Sequence, residues 1–546
     1  MKRKKLRLLS ALLVSALLVT TLPQSAAAAS FEDVPENAWY KDYVYDLVGQ
    51  GIIHGKSDSR FDPDGKLSRA QLVTMMAQSA LSQEDLKQYE FQGSFKDVPT
   101  SHWAYRYVNW AFEAGIVSGV GNDLFAPDRA ISRQDMAVML VNFSKATGRR
   151  MTAIRDAVSF TDSNKIASYA ANSVSICQRA GVLSGDTEGT FRPKSTASRA
   201  EAATMYSNFL KRCDFNPNYK ITRKRILGTA VRSVEFSGSL YKPELVLGKD
   251  KVTGSESASS LISRTGAKIA VNAAFFNMNS YIPLGTLIKD GRVVTVFDQY
   301  APARSALVMD SAGKLSIQNF STSHTVTLHK DDGTDSVLNN VGFNRWPSSA
   351  TDATRILYTR DWGTSLGFPA RDAVIFDENG LVTYVTHYAD AVIPENGYVL
   401  AQRSRRTYEG DFFDSCKVGM VLDMKRSYEG ADSEDIVMSI GAGPRLVKNG
   451  AVYGGIDTYR AEGYTDGNII SSAAVRMCIG MKADGSIVIV SAYATLQQLS
   501  KVMVSLGCTD AINLDGGGSA NLYVDGYWMR GPQSRPLNTM LIFKYI

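Results

Sequence analysis

Cysteine and histidine are scarce, at five each in 546 residues. The cysteines Cys177, Cys213, Cys416, Cys478 and Cys508 form no Cys-x-x-Cys pair, which argues against a structural zinc site. Five thiols scattered over a chain this long are no disulfide framework and read as small buried side chains. Of the histidines, His324 and His329 come nearest to a ligand pair, but they stand on opposite faces of a β-like run. No resident metal is therefore expected; a carboxylate-bound Ca²⁺ stays open. Long apolar runs are missing after residue 30, so no later segment reaches the roughly 18 residues a bilayer span needs.

Charge of one sign is also missing: 60 Lys and Arg face 54 Asp and Glu. The excess sits at the N-terminus. Lys2, Arg3, Lys4, Lys5 and Arg7 precede the apolar run Leu8 to Val19 and the alanines Ala26 to Ala29, with no acid among them. That order describes a secretory signal peptide over residues 1–29, the alternative being a membrane anchor with an unusually short apolar core. Its removal takes five positive charges from a net +6. Bulk electrostatics then give no reason to expect nucleic acid, and any acidic ligand must be held by placed cations.

Hydrophobic residues make up 44% and charged residues 21%, which excludes a disordered or fibrous chain. The length suits about three to five folding units. The first third is a repeat. Phe31-Glu32-Asp33-Val34-Pro35 recurs as Phe95-Lys96-Asp97-Val98-Pro99 and, degraded, as Phe160-Thr161-Asp162. Gly51 to Gly55 recurs as Gly115 to Gly119 and Gly181 to Gly185; Phe61-Asp62-Pro63 as Phe125-Ala126-Pro127 and Phe191-Arg192-Pro193; Ser68-Arg69 as Ser132-Arg133 and Ser198-Arg199. The constant order defines a three-copy array. In each copy a helix such as Tyr43 to Val48 ends at glycines, a loop follows, and Ser68 or its equivalent N-caps a second helix.

These residues resemble the S-layer homology family over about residues 31–210, with copies at 31–80, 95–145 and 160–211. The resemblance implies an all-α, three-pronged helical module that binds secondary cell-wall polysaccharide, often pyruvylated, between its prongs. Arg69, Arg133 and Arg199 would be the cations, since a guanidinium fork suits a ketal carboxylate. Pairing with a local acid is the alternative for each. Trp39 and Trp103 would either stack on sugar or fill core. Copy three has Ser168-Tyr169 where the tryptophan belongs.

Residues 212–227 are polar and basic and read as a linker. The remainder, 228–546, reads as an α+β, sheet-rich domain with Asx-Gly hairpin turns at Asp290, Asn379, Asn449, Asp484 and Asp525. Its densest signal is a strand from Ser486 to Ser491, a helix N-capped by Thr495, a strand from Ala511 to Leu514, and then Asp515-Gly516-Gly517-Gly518-Ser519. An acid and three glycines at a strand's end are placed for ligand binding, and successive glycine N–H groups can converge on an anion. A capped flexible turn is the alternative. The Gly363-Thr364-Ser365-Leu366-Gly367 string lacks the following helix that a serine hydrolase needs.

This half resembles the phosphodiester glycosidase family. The matching segments are Val271 to Phe276, Gly441 to Val447, Val475 to Gly480, Asn513 to Ser519 and Ser534 to Asn538. The resemblance implies cleavage of a glycosyl phosphodiester. Asp515 would be the essential carboxylate, Gly516 to Ser519 and Arg476 would hold phosphate, and Asn272 would orient a hydroxyl or water. Gly443 would line the substrate site, and Arg535 would be a secondary phosphate ligand. Arg476 as a structural pair and Asn272 as a backbone brace are the alternatives. Met477 departs from the family's usual threonine, and Ala492-Tyr493-Ala494 from its Asp-Gly-Arg. Together the halves suggest an exported, wall-anchored hydrolase acting on surface glycan or sugar phosphate. The other reading is a binding protein that recognises phosphorylated glycan without turnover. Mutating Asp515 should abolish the first and spare much of the second.

Overall fold

The computed structural model describes residues 30–546 except 91, 92, 94, 297–301, 348–354 and 404–409. The signal-peptide segment lies outside the described residues. A helical N-terminal region precedes a sheet-rich C-terminal part.

In the helical region each copy contributes two main helices: Lys41–Gly49 and Arg69–Gln78, Tyr105–Glu113 and Arg133–Thr147, Ser168–Arg179 and Arg199–Arg212. Ser68, Ser132 and Ser198 each accept the N–H three residues on, satisfying a donor the helix start leaves open. Gly51, Gly115 and Gly181 take φ near +70° where the first helix of each copy ends. The opening aspartate fixes the loop that follows. Asp33 accepts the N–H groups of Phe61 and Asp62, Asp97 those of Phe125 and Ala126, and Asp162 those of Phe191 and Arg192, all at 2.7–2.8 Å. Asp62, Ala126 and Arg192 are held at positive φ, an unfavourable conformation the paired bonds stabilise.

The three copies close on one another. Arg69 Nε donates to Phe125 O, Arg133 Nε to Phe191 O, and Arg199 Nε to Phe61 O, at 2.8–2.9 Å. Each guanidinium also lies over the ring of the same phenylalanine, 4.6–5.2 Å from its centroid. Beside this relay, Leu67 N–H donates to Ala197 O, Ala197 N–H to Ile131 O, and Ile131 N–H to Leu67 O. One apolar core, including Phe61, Phe125 and Phe191, fills the centre.

The C-terminal part begins earlier than expected. Residues 212–227 are not a linker: Tyr219–Ile226 is a strand, paired along its whole length with Thr229–Ser237. Tyr219 and Ile221 are buried on its inner face and Ile226 on its outer face, while the basic residues between them obscure the strand period. It is the edge of a seven-stranded sheet that continues through Thr229–Ser237, Ser486–Ala494, Ala474–Lys482, Cys508–Leu514, Arg445–Lys448 and Ala451–Val452.

The helix Leu496–Ser505 packs on the outer face of that sheet, with Leu496, Leu499, Val502 and Met503 buried. It returns the chain so that the strands before and after it run parallel, with Ala474–Lys482 antiparallel between them. The inner face meets a five-stranded sheet of Tyr527–Arg530, Leu522–Val524, Ile269–Asn272, Thr539–Tyr545 and Tyr241–Leu247 across a shared apolar core. Two further sheets, of seven and five strands, complete this part. All five cysteines are free and buried. No helix among the described residues is long and apolar enough to cross a membrane.

The relay predicts a stability cost. Arg199→Met would strand the carbonyls of Phe61 and His54, which its Nε and Nη2 now satisfy. One buried unpaired acceptor, with a second that water can partly reach, should lower the unfolding free energy of the helical region by about 1–3 kcal/mol. Urea titration followed by far-ultraviolet circular dichroism checks this, and an unchanged midpoint would refute the relay's structural weight.

Candidate active site

The Cys508–Leu514 strand delivers Asp515 to the edge of the inner core. Asp515 N–H donates to Ala273 O at 3.1 Å, and Asp515 O accepts from Asn272 Nδ2 at 2.7 Å. Asn272 is fully buried, and its Oδ1 accepts Asn521 N–H at 2.8 Å. Both ends of the amide are therefore spent on backbone. The expectation that Asn272 orients a hydroxyl or water is corrected: it positions Asp515 and clamps the two ends of the glycine turn.

The turn is shaped by a backbone contact at Gly516 and a positive φ at Gly517 that favour glycine, with a movable side chain close to Gly518. A Cβ on Gly516 would lie 2.4 Å from Val475 O, and one on Gly518 would lie 2.7 Å from the Arg535 guanidinium; Gly517 sits at φ +57°. Gly516 N–H donates to Asp515 Oδ1 at 2.8 Å. Gly517–Ser519 forms a single 3-10 turn, whose first N–H groups have no acceptor within the turn. Ser519 is buried, and its Oγ accepts from Arg535 Nη1 at 3.3 Å. Burial pushes the Asp515 carboxyl up to about 6; the Ser519 hydroxyl, the Gly516 N–H and the Arg535 charge oppose the rise without cancelling it.

Arg535 is thus the cation at the turn. Arg476 is not. Its Nη2 donates to the carbonyls of Asn468, Ile469 and Ser472 at 2.7–2.8 Å, and its Nε to Ala494 O at 3.4 Å. It caps the last turn of Gly467–Ile470 from the neighbouring strand, so the assignment to phosphate is replaced by a bracing role. Gly443 is likewise committed. Its N–H donates to Asn513 O, its carbonyl accepts from Asn513 Nδ2, and its φ of +119° precedes a cis proline. It holds the strand before Asp515 rather than offering its N–H to substrate.

The segments at residues 273–275 and 441–443 that brace Asn513 to Asp515 also border a cavity of about 210 Å³ lined by Phe275, Thr286, Arg304, Ser305, Ala442 and Tyr464. Behind it stands Glu462, a residue no sequence pattern singled out. It is 4% exposed; one carboxylate oxygen accepts Ser305 N–H at 3.1 Å and the other has no hydrogen-bond partner among the described residues. Burial raises its pKa against the pull of Ser305 and Arg304. Tyr464 donates its hydroxyl to Ala442 O, and the Arg304 guanidinium lies 4.6 Å from its ring centroid. Only the tertiary approach of the 461–464 turn to the strand Arg304–Met309 brings Glu462 here, and no local spacing encodes that.

In the helical region the three predicted cations are buried in the inter-copy relay. Arg133 further bonds Glu201 and Ser184 O, and Arg199 bonds His54 O. Arg69 makes only the bond to Phe125 O, which leaves its two terminal nitrogens without a protein acceptor among the described residues. Trp39 and Trp103 are 62% and 56% exposed, and Tyr169 at the third equivalent position is 61% exposed. Neither tryptophan fills core. Met477 is fully buried in the inner core, while Tyr493 points outward.

Two family models match the chain. The S-layer homology domain matches at residues 30–73, 94–137 and 159–203, and the phosphodiester glycosidase family matches at residues 370–544. The chain carries three S-layer homology repeats and a C-terminal phosphodiester glycosidase domain. Among curated proteins, it is 28% identical to an endoglucanase of Bacillus sp. (strain KSM-635) over 236 residues, 43% of this chain and 24% of that one. It is 27% identical to S-layer protein EA1 of Bacillus anthracis over 261 residues, 46% and 29% of the two chains. The chain spans about a quarter or less of the length of the endoglucanase, of an exoglucanase of Acetivibrio thermocellus and of an amylopullulanase of Thermoanaerobacterium thermosulfurigenes that it also matches. A hypothetical protein from Synechocystis shares the fold at TM-score 0.51 and 21% identity, over 60% of this chain and 62% of that one.

The raised Asp515 pKa makes a signed prediction. The folded state holds this proton more tightly than the unfolded chain, so stability falls as pH rises from about 4 to about 6 and levels off above. Asp515→Asn removes that titration. The parent should lose about 2–3 kcal/mol relative to the variant between pH 4 and pH 8. Urea midpoints at both pH values measure it; parallel behaviour of the two proteins would refute the burial of the charge.

Proposed function

We propose that this chain is a wall-anchored hydrolase of glycosyl phosphodiesters or related glycosidic links in surface polysaccharide. The chain is a cell-wall-associated surface protein, and its repeats together with its glycosidase domain fit a glycan-processing role there. The observation that carries the finer reading is the half-buried Asp515 carboxyl at the end of a strand, with its pKa raised by desolvation, flanked by a glycine turn and Arg535.

Departure of a phosphate from an anomeric carbon builds negative charge on the phosphate and positive charge on the sugar. Arg535, with the Gly517 and Gly518 N–H groups, supplies preorganised donors for the first. The Asp515 carboxylate faces the second, stabilising the oxocarbenium-like centre or accepting a proton from the attacking water. A phosphate leaving group needs little acid help, so one ionised carboxylate near neutral pH suffices. Wall attachment is assigned to the helical region. Arg69, with donor capacity left over, is the cation there for a carboxylate or ketal-carboxylate substituent of the wall polymer.

A second reading, recognition of phosphorylated glycan without turnover, draws on the structural commitment of Asn272, Gly443 and Arg476. Incubating residues 30–546 with an N-acetylglucosamine-1-phosphodiester separates the two. Sugar release should rise with pH through a limb near 6, the pKa of Asp515. Asp515→Asn should cut the rate by about 10²–10⁴-fold. Retained binding with no release by the parent would support the recognition reading instead.

A further inference from the structure

Where the helical region meets the first sheet, the inward-facing rows change character at one level. Tyr219 and Ile221 lead to Arg223, Phe236 and Val234 to Arg232, and Ile489 to Ser491. Arg223 and Arg232 are direct cross-strand partners. Two like charges facing each other in a sheet are destabilising. Arg530 comes from the Tyr527–Arg530 strand on the opposite sheet; burial lowers the pKa of Arg232 and of Arg223, and the neighbouring charges of Arg530 and Arg232, respectively, lower them further.

Carboxylate compensation is weak: Glu113 lines the same pocket and favours the Arg232 charge, yet its own ion pair is with Arg225. None of the three makes an ion pair among the described residues. The nearby Lys224 is engaged by Asp85. Arg223 donates through Nη1 to Ala114 O, and Arg232 through Nη1 to Met529 O. The Nε atoms of Arg223 and Arg530 are buried with no partner. The three side chains open on a pocket of about 350 Å³, with Phe112 and the exposed Tyr493 at its rim.

We propose that this junction pocket is a binding site for a phosphate or carboxylate group of an anionic glycan, held by Arg223, Arg232 and Arg530. Three guanidiniums turned inward, two of them opposed in register, are an arrangement that a ligand anion completes through charge-assisted bonds. The site is separate from the glycine turn. One row of paired residues runs Arg223, Arg232, Ser491, Met477, Leu514, and Asp515 follows Leu514. Arg232 and Leu514 are three strand spacings apart, about 14 Å. A polyanionic strand bound at the arginines therefore lies along the sheet end toward Asp515.

The test uses residues 30–546, titrated calorimetrically with inorganic phosphate and, separately, with pyruvate, to distinguish the two anion sources. Binding to the parent should weaken about tenfold or more in Arg232→Gln and in Arg530→Gln, and much less in Arg530→Lys. Arg535→Gln should leave this binding in place, which distinguishes it from the turn. Thermal unfolding in phosphate-free buffer gives a second measure. Arg530→Gln should be at least as stable as the parent, because a repulsion is relieved, while losing the upward shift that phosphate gives the parent. Failure of both anions to bind the parent would overturn the proposal. So would equal binding by the glutamine variants, or a loss of stability in Arg530→Gln without ligand.

Discussion

The arginine-to-phenylalanine-carbonyl relay is the constraint on which the helical region depends. Each opening aspartate pins its own Phe-x-Pro loop, and that loop then presents a carbonyl to an arginine from another copy. Because Arg69 reaches copy two, Arg133 copy three and Arg199 copy one, the set closes. An open solenoid needs distinct caps at its ends; a closed ring of three has no end to cap. The contact from Arg199 to Phe61 spans 138 residues, so the ring forms only when the last copy is present.

The sheet-rich part follows a related logic, with asparagines in place of arginines. Asn272, Asn513 and Asn521 are all buried, and their amides bond backbone atoms of neighbouring segments. They hold the glycine turn between the strand from Ile269 and the Gly443 bend. Such a network places Asp515 through its backbone, and the groups that act on the carboxyl itself are Gly516, Ser519 and Arg535. A charge in so fixed and enclosed a place is pre-arranged for a developing charge elsewhere.

Much of this was legible in the sequence. The three-copy array, the serine N-caps, the strand–helix–strand unit and the glycine turn all carry local signatures, and local signatures survive folding. The roles of single residues were less legible. Arg476, Asn272 and Gly443 belong to motif segments, yet their polar groups satisfy backbone, and a sequence does not say which carbonyls a tertiary fold leaves orphaned. Glu462 went unseen for the converse reason: nothing beside it in the chain is unusual, and its interest lies in what packs over it. The Tyr219–Ile226 strand was hidden by its charges, which face the helical region in ion pairs instead of water.

That strand is shared property. It completes the first sheet as its edge, and its outer side is covered by helices through Arg225 to Glu113, Lys224 to Asp85 and the Tyr89 hydroxyl. An uncovered edge invites pairing with another chain. The two halves are consequently poor candidates for free exchange. A gene fusion that lent the glycosidase domain to a different anchor would carry away a bare edge strand, and would succeed only if the new neighbour brought its own cover.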